Sequence, residues 1–471
     1  MKPSPVSGPP ALLRALGPVA ITAVMVGSVV GSGIFLVPNV IAAQVGGFGM
    51  IMLVWLVSGM LTFFGALSYA ELGGMIPDAG GQYAYLREAY GKLPAFLFGW
   101  TEFLVVKAGS IAAVAVAFAM YSGVFVPERF AREFHATLLV GPVPIPEIGV
   151  KTVAILCILA LSAVNTLGVR FGGWVQNVFT FLKVGALLGL VVAVFVFGHR
   201  ATGAFQPFWP SGWGIGTLKA FGVAMVAALW AFDGWNNTTY MAAEVENPRR
   251  NVPIALALGA VIVVGLYLAA NMAYAYALPL QRIAGSRLVA ADAVRTFLGP
   301  VGGGLISAAV MVSTFGTVNG MILSGPRVTY AMSKDGLFFA SLGEVHPRFR
   351  TPHVATAMQA VWACLLTLSG RYDQLFTYVI FAAWIFYAMT TAAVIVLRRK
   401  RPDVKRPYKT WGYPVVPLAF IAVSVWFVVN TLVTDPRDSL MGLGIVCLGV
   451  PVYLGYHRHI RRAEFHGGGT A

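Results

Sequence analysis

Charge is scarce in this chain. Of its 471 residues only 11% are Asp, Glu, Lys or Arg, while 58% are hydrophobic; a soluble domain carries roughly 25% charged residues. A water-soluble fold of this size could not cover its surface, and the mean hydropathy of +0.76 points to the bilayer as solvent. Acidic residues are scarcer than basic ones, 18 against 33, which leaves a net charge of +15. The three cysteines, Cys157, Cys364 and Cys447, lie in apolar stretches and behave as small hydrophobes. Without a CxxC pair or a His/Cys cluster, no structural zinc is implied. No GxxxxGK[ST] is present, which argues against ATP-driven pumping, and there is no HExxH or nucleophile elbow. The seven histidines, His135, His199, His346, His353, His457, His459 and His466, fall in loops or near the C-terminus, which argues against an intramembrane catalytic or metal cluster. An integral-membrane transferase would want acidic or histidine pairs at a loop mouth, and none is seen. The chain is therefore not expected to be an enzyme, and no cofactor is called for.

Long apolar runs, by contrast, abound. A spanning helix needs about 20 mostly apolar residues. Twelve runs qualify, at 16–43, 50–76, 93–125, 150–169, 172–198, 217–245, 252–278, 300–332, 353–370, 373–397, 413–433 and 440–457. The first follows a short polar stretch, Met1 to Arg14, and is about twice as long as a signal-peptide core, so it reads as a retained span. The third and eighth reach 33 residues, which suggests strong tilt. Twelve spans place both termini on one side. With residues at span ends counted in the adjoining loop, the even-to-odd loops and tails hold 21 basic residues and the opposite loops 10. Lys107 and Lys183 lie within spans. The basic excess thus orients the chain with cytoplasmic termini, and nucleic acid is not an expected partner. The densest cluster, Arg398 to Arg401 with Lys405, Arg406 and Lys409, joins spans ten and eleven; topology accounts for it, with lipid recruitment as the alternative.

Two spans are interrupted. Gly31-Ser32-Gly33 cuts the first, and Asp233-Gly234, followed by Trp235, Asn236 and Asn237, cuts the sixth. Glycine is disfavoured inside a helix by about 1 kcal/mol relative to Ala, so each site permits an unwound turn. Freed N–H groups cost several kcal/mol in lipid unless they line a cavity or find partners. At a half-helix N-terminus they make a carboxylate site. Close helix packing is the alternative, since Gly27 and Gly31 have GxxxG spacing. The matching positions favour the binding reading: first and sixth are equivalent members of two five-helix units, the second inverted, with spans eleven and twelve outside the repeat. The units run 16–198 and 217–398, and the extra pair 411–458.

Polar residues near the breaks are the candidates for chemistry. Asp233 is read first as a cap of the second half-helix; facing water or binding a cation are its other roles. Trp230, a turn earlier, either closes over substrate, stacks on a cation, or packs against the core or lipid. Lys183, in Phe181-Leu182-Lys183-Val184, is too deep to snorkel easily. Its ammonium is expected to bridge unwound carbonyls and hydroxyls where a sodium-using transporter would hold its ion, with a structural ion pair as the alternative. Glu102 and Lys107 are five apart, which does not make them neighbours on one α-helical face. Glu71, near the inner end of span two, reads as interfacial.

These residues resemble the amino acid–polyamine–organocation superfamily, and within it the L-type amino acid transporter branch and its bacterial relatives. The similarity runs nearly the whole length. It rests on Gly31-Ser32-Gly33-Ile34-Phe35; on Tyr69-Ala70-Glu71-Leu72-Gly73 with Ile76-Pro77 and Gly80-Gly81; and on Phe232-Asp233-Gly234-Trp235-Asn236 continuing to Glu244, Asn247-Pro248 and Pro253. Asn319-Gly320, Arg327, Gly336, His346-Pro347 and Thr351-Pro352 complete it. The resemblance implies an all-α membrane protein with a LeuT-like fold, five plus five inverted helices and two more, and amino acid exchange. It implies that amides around Ser32 and Gly33 hold the substrate carboxylate, that carbonyls near Val29, Trp230 and Asp233 meet its ammonium, that Trp230 gates, and that Lys183 marks a sodium-independent member. Departures are Ala383 before Trp384, where human-type members have Asn, and the lack of a cysteine in 126–149. The latter argues against a covalent heavy-chain partner and for a stand-alone prokaryotic protein of the inner membrane. The expected activity is sodium-independent exchange of small neutral L-amino acids, with substrate contacts from Val29, Gly31, Ser32, Gly33, Trp230, Asp233 and Gly234. The alternatives are a proton-coupled symporter, with Lys183 or Glu102 titrating, and a non-transporting amino acid sensor.

Overall fold

Lipid cannot hydrogen-bond a backbone, so apolar runs of this length must satisfy their own amides as helices. The computed structural model describes residues 11–140, 143–286, 288–369, 372–434 and 436–467. The N-terminal stretch before Ala11, the last four residues, and the side chains of His457, His459 and His466 lie outside the described part. The chain opens with α1 (Pro18–Val29), α2 (Gly33–Leu36), α3 (Pro38–Gln44), α4 (Phe48–Met75), α5 (Gln82–Tyr90), α6 (Lys92–Thr101), α7 (Ala108–Ser122), α8 (Glu128–Phe134), α9 (Ile148–Thr166) and α10 (Val169–Phe197). There follow α11 (Ile215–Ala231), α12 (Asn237–Tyr240), α13 (Pro248–Ala277), α14 (Leu280–Gly285), α15 (Val289–Ser324), α16 (Pro326–Lys334), α17 (His353–Ser369) and α18 (Tyr372–Lys400). The chain ends in α19 (Val415–Thr434) and α20 (Pro436–Gly467). A short hairpin, β1 (Leu138–Val140) with β2 (Val143–Ile145), is the sole sheet among the described residues.

Ten helical stretches in the described part are long and apolar enough to cross a membrane. Ile215–Ala231 and His353–Ser369, at the sixth and ninth runs, are shorter apolar helices. The two 33-residue runs lie in stretches that are not uniform α-helix. Between α6 and α7 the chain makes a π-helical insertion over Glu102–Lys107. In α15, Gly299 is non-helical, and Gly325-Pro326 divides α15 from α16; proline there cannot donate to the helical ladder.

The interrupted first helix is at the centre. Of the Pro18–Leu36 window 78% is buried, against 33% for Val415–Thr434 and 22% for Ser439–Tyr456, so the last two helices are peripheral. α1 packs against α13, α10 and α15, while α13 lies along α4. Two buried ion pairs tie the ends of these helices to loops. Arg327 on α16 makes a bidentate pair with Glu244, at 2.7 and 2.9 Å, just beyond α12. Glu71, near the end of its run on α4, is 1% exposed. It accepts from Arg398 at 2.8 and 2.7 Å and from the Thr410 amide and hydroxyl at 2.7 Å. The end of α18 and the loop that follows it thus pack onto α4.

Candidate functional site

Helix α1 stops at Val29 and α2 starts at Gly33, with an unwound turn between them. Val30 still donates to Val26, and Phe35 and Leu36 donate to the Ser32 carbonyl. Among the described residues the amides of Gly31, Ser32, Gly33 and Ile34 make no hydrogen bond, and the buried Ser32 hydroxyl has no partner either. Several unpaired donors in a buried turn would each cost about 1–3 kcal/mol if nothing bound them. An anionic group such as a carboxylate satisfies them, aided by the dipole of the half-helix.

The second break opens at Phe232, after α11, and closes at Asn237. Gly234 has a φ of +94°, a left-handed value that glycine tolerates best. A Cβ there would also stand 3.1 Å from the Ser28 carbonyl oxygen. Reciprocally, a Cβ on Gly33 would lie 2.7 Å from Ala231 Cα. The two breaks therefore cross in contact, each requiring a glycine where the other's backbone passes. The Tyr267 hydroxyl of α13 ties them, lying 2.9 Å from the carbonyl oxygens of both Val29 and Ala231. The packing alternative holds at Gly27, where an added Cβ would run into Gln176 and Thr180 of α10.

Lys183 is 1% exposed. Its Nζ donates to the carbonyls of Gly27 (2.8 Å) and Val30 (2.9 Å) and to the Thr317 hydroxyl (2.9 Å). The two carbonyls are ones that the end of α1 leaves without a helical donor. Ser313, a turn before Thr317, donates to the Val30 carbonyl at 3.0 Å. The ammonium thus fastens α1 to α10 and α15, with oxygen ligands of the kind that bind hard monovalent cations.

Around the second break, Asp233 does not cap. The half-helix has Asn236 at its N-cap and no side-chain cap bond, and the Asp233 carboxylate instead accepts from the Tyr387 hydroxyl at 2.7 Å. The chain turns once more between Asp233 and α12, which moves the carboxylate out of reach of the capping position. Trp230 is half-buried beside Gly33; its Cε3 would be 3.5 Å from a Cβ at that position. Trp235 packs on Tyr69 at a centroid distance of 4.6 Å and on Tyr387 at 5.5 Å. Trp384, after Ala383, turns to α19, stacked on Phe420 at 5.6 Å.

Glu102 and Lys107 are neighbours after all, with Nζ 3.2 Å from Oε1. The π-helical turn that contains them closes i→i+5 bonds, which brings residues five apart onto one face. Lys107 also donates to the Asn237 side chain of α12 at 2.6 Å, so this pair buttresses the second break. Tyr267, Thr317 and Ser313 complete the site without having been singled out from sequence, and Asn237, noted there only as following the second break, joins it through Lys107. Ser313 and Thr317 carried a usable signal: two hydroxyls four apart share a helix face. Tyr267 carried none, since an aromatic in an apolar run is ordinary packing.

A family model described as amino acid permease matches residues 16–448. The serine/threonine exchanger SteT of Bacillus subtilis (strain 168) is 33% identical over 94% of this chain and 97% of its own length. The b(0,+)-type amino acid transporter 1 of Homo sapiens is 33% identical over 90% and 84%. The large neutral amino acids transporter small subunit 2 of Homo sapiens is 33% identical over 94% and 80%. Paired helix breaks in a bundle of apolar helices, together with full-length similarity to amino acid transporters, place this integral membrane protein in the amino acid permease family.

Proposed function

We propose that the chain is a sodium-independent exchanger of small neutral L-amino acids that works by alternating access and moves its substrate without transforming it. The observation that carries the reading is the Lys183 ammonium on the carbonyls of Gly27 and Val30 and the hydroxyl of Thr317. A resident cation there leaves no room for a transported sodium ion. The free amides of residues 31–34 receive the substrate carboxylate, and the carbonyl ends of α1 and α11 face its ammonium. The name of the serine/threonine exchanger, similar along nearly its whole length, supports both exchange and a small side chain. The architecture proposed with it is twelve spans, two inverted units of five over 16–198 and 217–398 and a further pair over 411–458. The two shorter apolar helices fill the sixth and ninth places. The protein acts in a prokaryotic plasma membrane with both termini cytoplasmic. It needs no disulfide-linked partner, because 126–149 holds no cysteine.

The test is uptake of labelled serine into proteoliposomes. Uptake is expected only when unlabelled amino acid is loaded inside, and equally in sodium and choline media. Uptake into empty vesicles rejects exchange, stimulation by an imposed proton gradient moves the chain to the symporters, and binding without flux makes it a sensor. A second reading, transport of cationic amino acids, has one observation in its favour. Asp233 forms no ion pair among the described residues, whereas Glu102 is neutralised by Lys107. Competition by lysine at the affinity of serine would select it.

A further inference from the structure

Outside the site, on the side that holds most of the basic residues, a trough runs between α1, α10 and α13. Its volume is about 330 Å³, and Val19, Val26, Phe181, Ile254, Leu258 and Ile262 are among its lining residues. Val19 is 59% exposed, Phe181 65% and Leu258 49%, so the trough opens outward. A separate cavity of about 520 Å³ lies at the start of α1 and α13, lined by Arg14, Pro77, Asn247, Pro248, Arg249 and Arg250. Among the described residues none of these three arginines is in an ion pair; the exposed Glu246 has its carboxylate near Gly17, 3.6 Å from where a Cβ there would stand. The two hollows share helix faces. Arg250, Ile254, Leu258 and Ile262 recur every four residues along α13, one above the next. Arg14 lies in the non-helical stretch four residues before Pro18, where α1 starts.

We propose that these hollows form one site for an anionic phospholipid, its phosphate held by Arg14, Arg249 and Arg250 and an acyl chain laid in the trough. A zwitterionic lipid fits the trough but does not match three guanidinium groups, and a soluble anion matches the arginines but leaves the trough unused. The bound lipid braces α1, the half-helix that leads to the Val30–Ser32 break, so it bears on the mobility of the first break from the lipid side.

The experiment compares spin-labelled phosphatidylglycerol with spin-labelled phosphatidylcholine on the full chain in phosphatidylcholine vesicles. The motionally restricted fraction is expected to favour phosphatidylglycerol. A variant carrying R14Q, R249Q and R250Q should lose that preference by about fivefold per arginine. L258W fills the trough without touching the basic cavity and is expected to lose it as well. Phosphatidylglycerol should also slow hydrogen exchange of α1 in the wild type but in neither variant. No preference in the wild type overturns the proposal, as does a preference that survives both variants. Protection of α1 by soluble glycerol 3-phosphate as strong as that by phosphatidylglycerol overturns it too, because the anion alone would then suffice. None of these readouts depends on which amino acid is carried.

Discussion

Lys183→Ala isolates what the buried ammonium contributes. The change removes three hydrogen bonds, to Gly27, Val30 and Thr317. Two buried carbonyls lose a charged donor, and each unpaired group costs about 1–3 kcal/mol. The loss is not complete, because the hydroxyls of Thr317 and Ser313 also reach these oxygens, at 3.1 and 3.0 Å from Val30 and 3.2 Å from Gly27. A net penalty of about 2–3 kcal/mol remains for holding α1 against α10 and α15, which lowers the population of that arrangement about 30- to 150-fold. The variant should insert and purify as the wild type does, while serine exchange in proteoliposomes falls by more than tenfold. The oxygens that held Nζ stay in place, so sodium, but not choline, should recover part of the exchange. Wild-type rates for K183A would refute the role assigned to the ammonium. A rate that is lost and is indifferent to sodium would refute the idea that these oxygens form a cation site.

Gly33→Ala puts a Cβ 2.7 Å from the Ala231 backbone and should cut exchange at least tenfold, whereas Gly185→Ala on α10, with nothing within 4 Å, should leave it unchanged. Equal rates for the two variants would deny that the breaks touch. Glu102→Gln leaves Lys107 buried beside a neutral amide. It should lower stability by about 3–5 kcal/mol, read as a drop in Tm, while adding Lys107→Met restores most of the loss; a purely additive double variant would mean the π-helical pair is not coupled. Arg327→Ala breaks a bidentate pair whose partners are 1% and 0% exposed and should cost about 3–5 kcal/mol, with a small effect expected for the exposed Arg295→Ala beside Asp292. Similar Tm values for both arginine variants would remove the case for a latch between α12 and α16.

The parts of this molecule that were legible in sequence are those written in composition and in glycine. Apolar runs locate the helices because the bilayer allows the backbone no other partner. Gly31-Ser32-Gly33 and Asp233-Gly234 locate the unwound turns because glycine marks where a backbone leaves the helix or another backbone comes close, and Gly234 does both. Lys183 was legible because a lone ammonium deep in an apolar run demands acceptors. What sequence reasoning misplaced depended on geometry that periodicity assumes away. Glu102 and Lys107 are separated on a 3.6-residue helix and joined on a π-helical turn, and nothing in Glu102-Phe103-Leu104-Val105-Val106-Lys107 announces the change of period. Glu71 was read only from its distance to the end of a run; its partners, Arg398 at the end of α18 and Thr410 in the loop after it, lie more than three hundred residues later.

The two breaks are better regarded as one element than as two. Gly33 lies on Ala231, Gly234 lies on Ser28, and the Tyr267 hydroxyl serves the carbonyls of Val29 and Ala231 with a single proton. A hydroxyl shared in this way cannot fully satisfy both carbonyls, so each keeps acceptor capacity. A substrate ammonium brings three donors and can complete what Tyr267 leaves undone, while its carboxylate takes the amides of residues 31–34. The same molecule would then supply both the donors and the acceptors that unwinding exposed. The bare turn carries unpaired polar groups at a cost of about 1–3 kcal/mol each, and the loaded turn does not. If the occluded state makes these contacts more fully than the open ones, filling the site lowers the barrier between them, which is the energetic requirement of the proposed exchange.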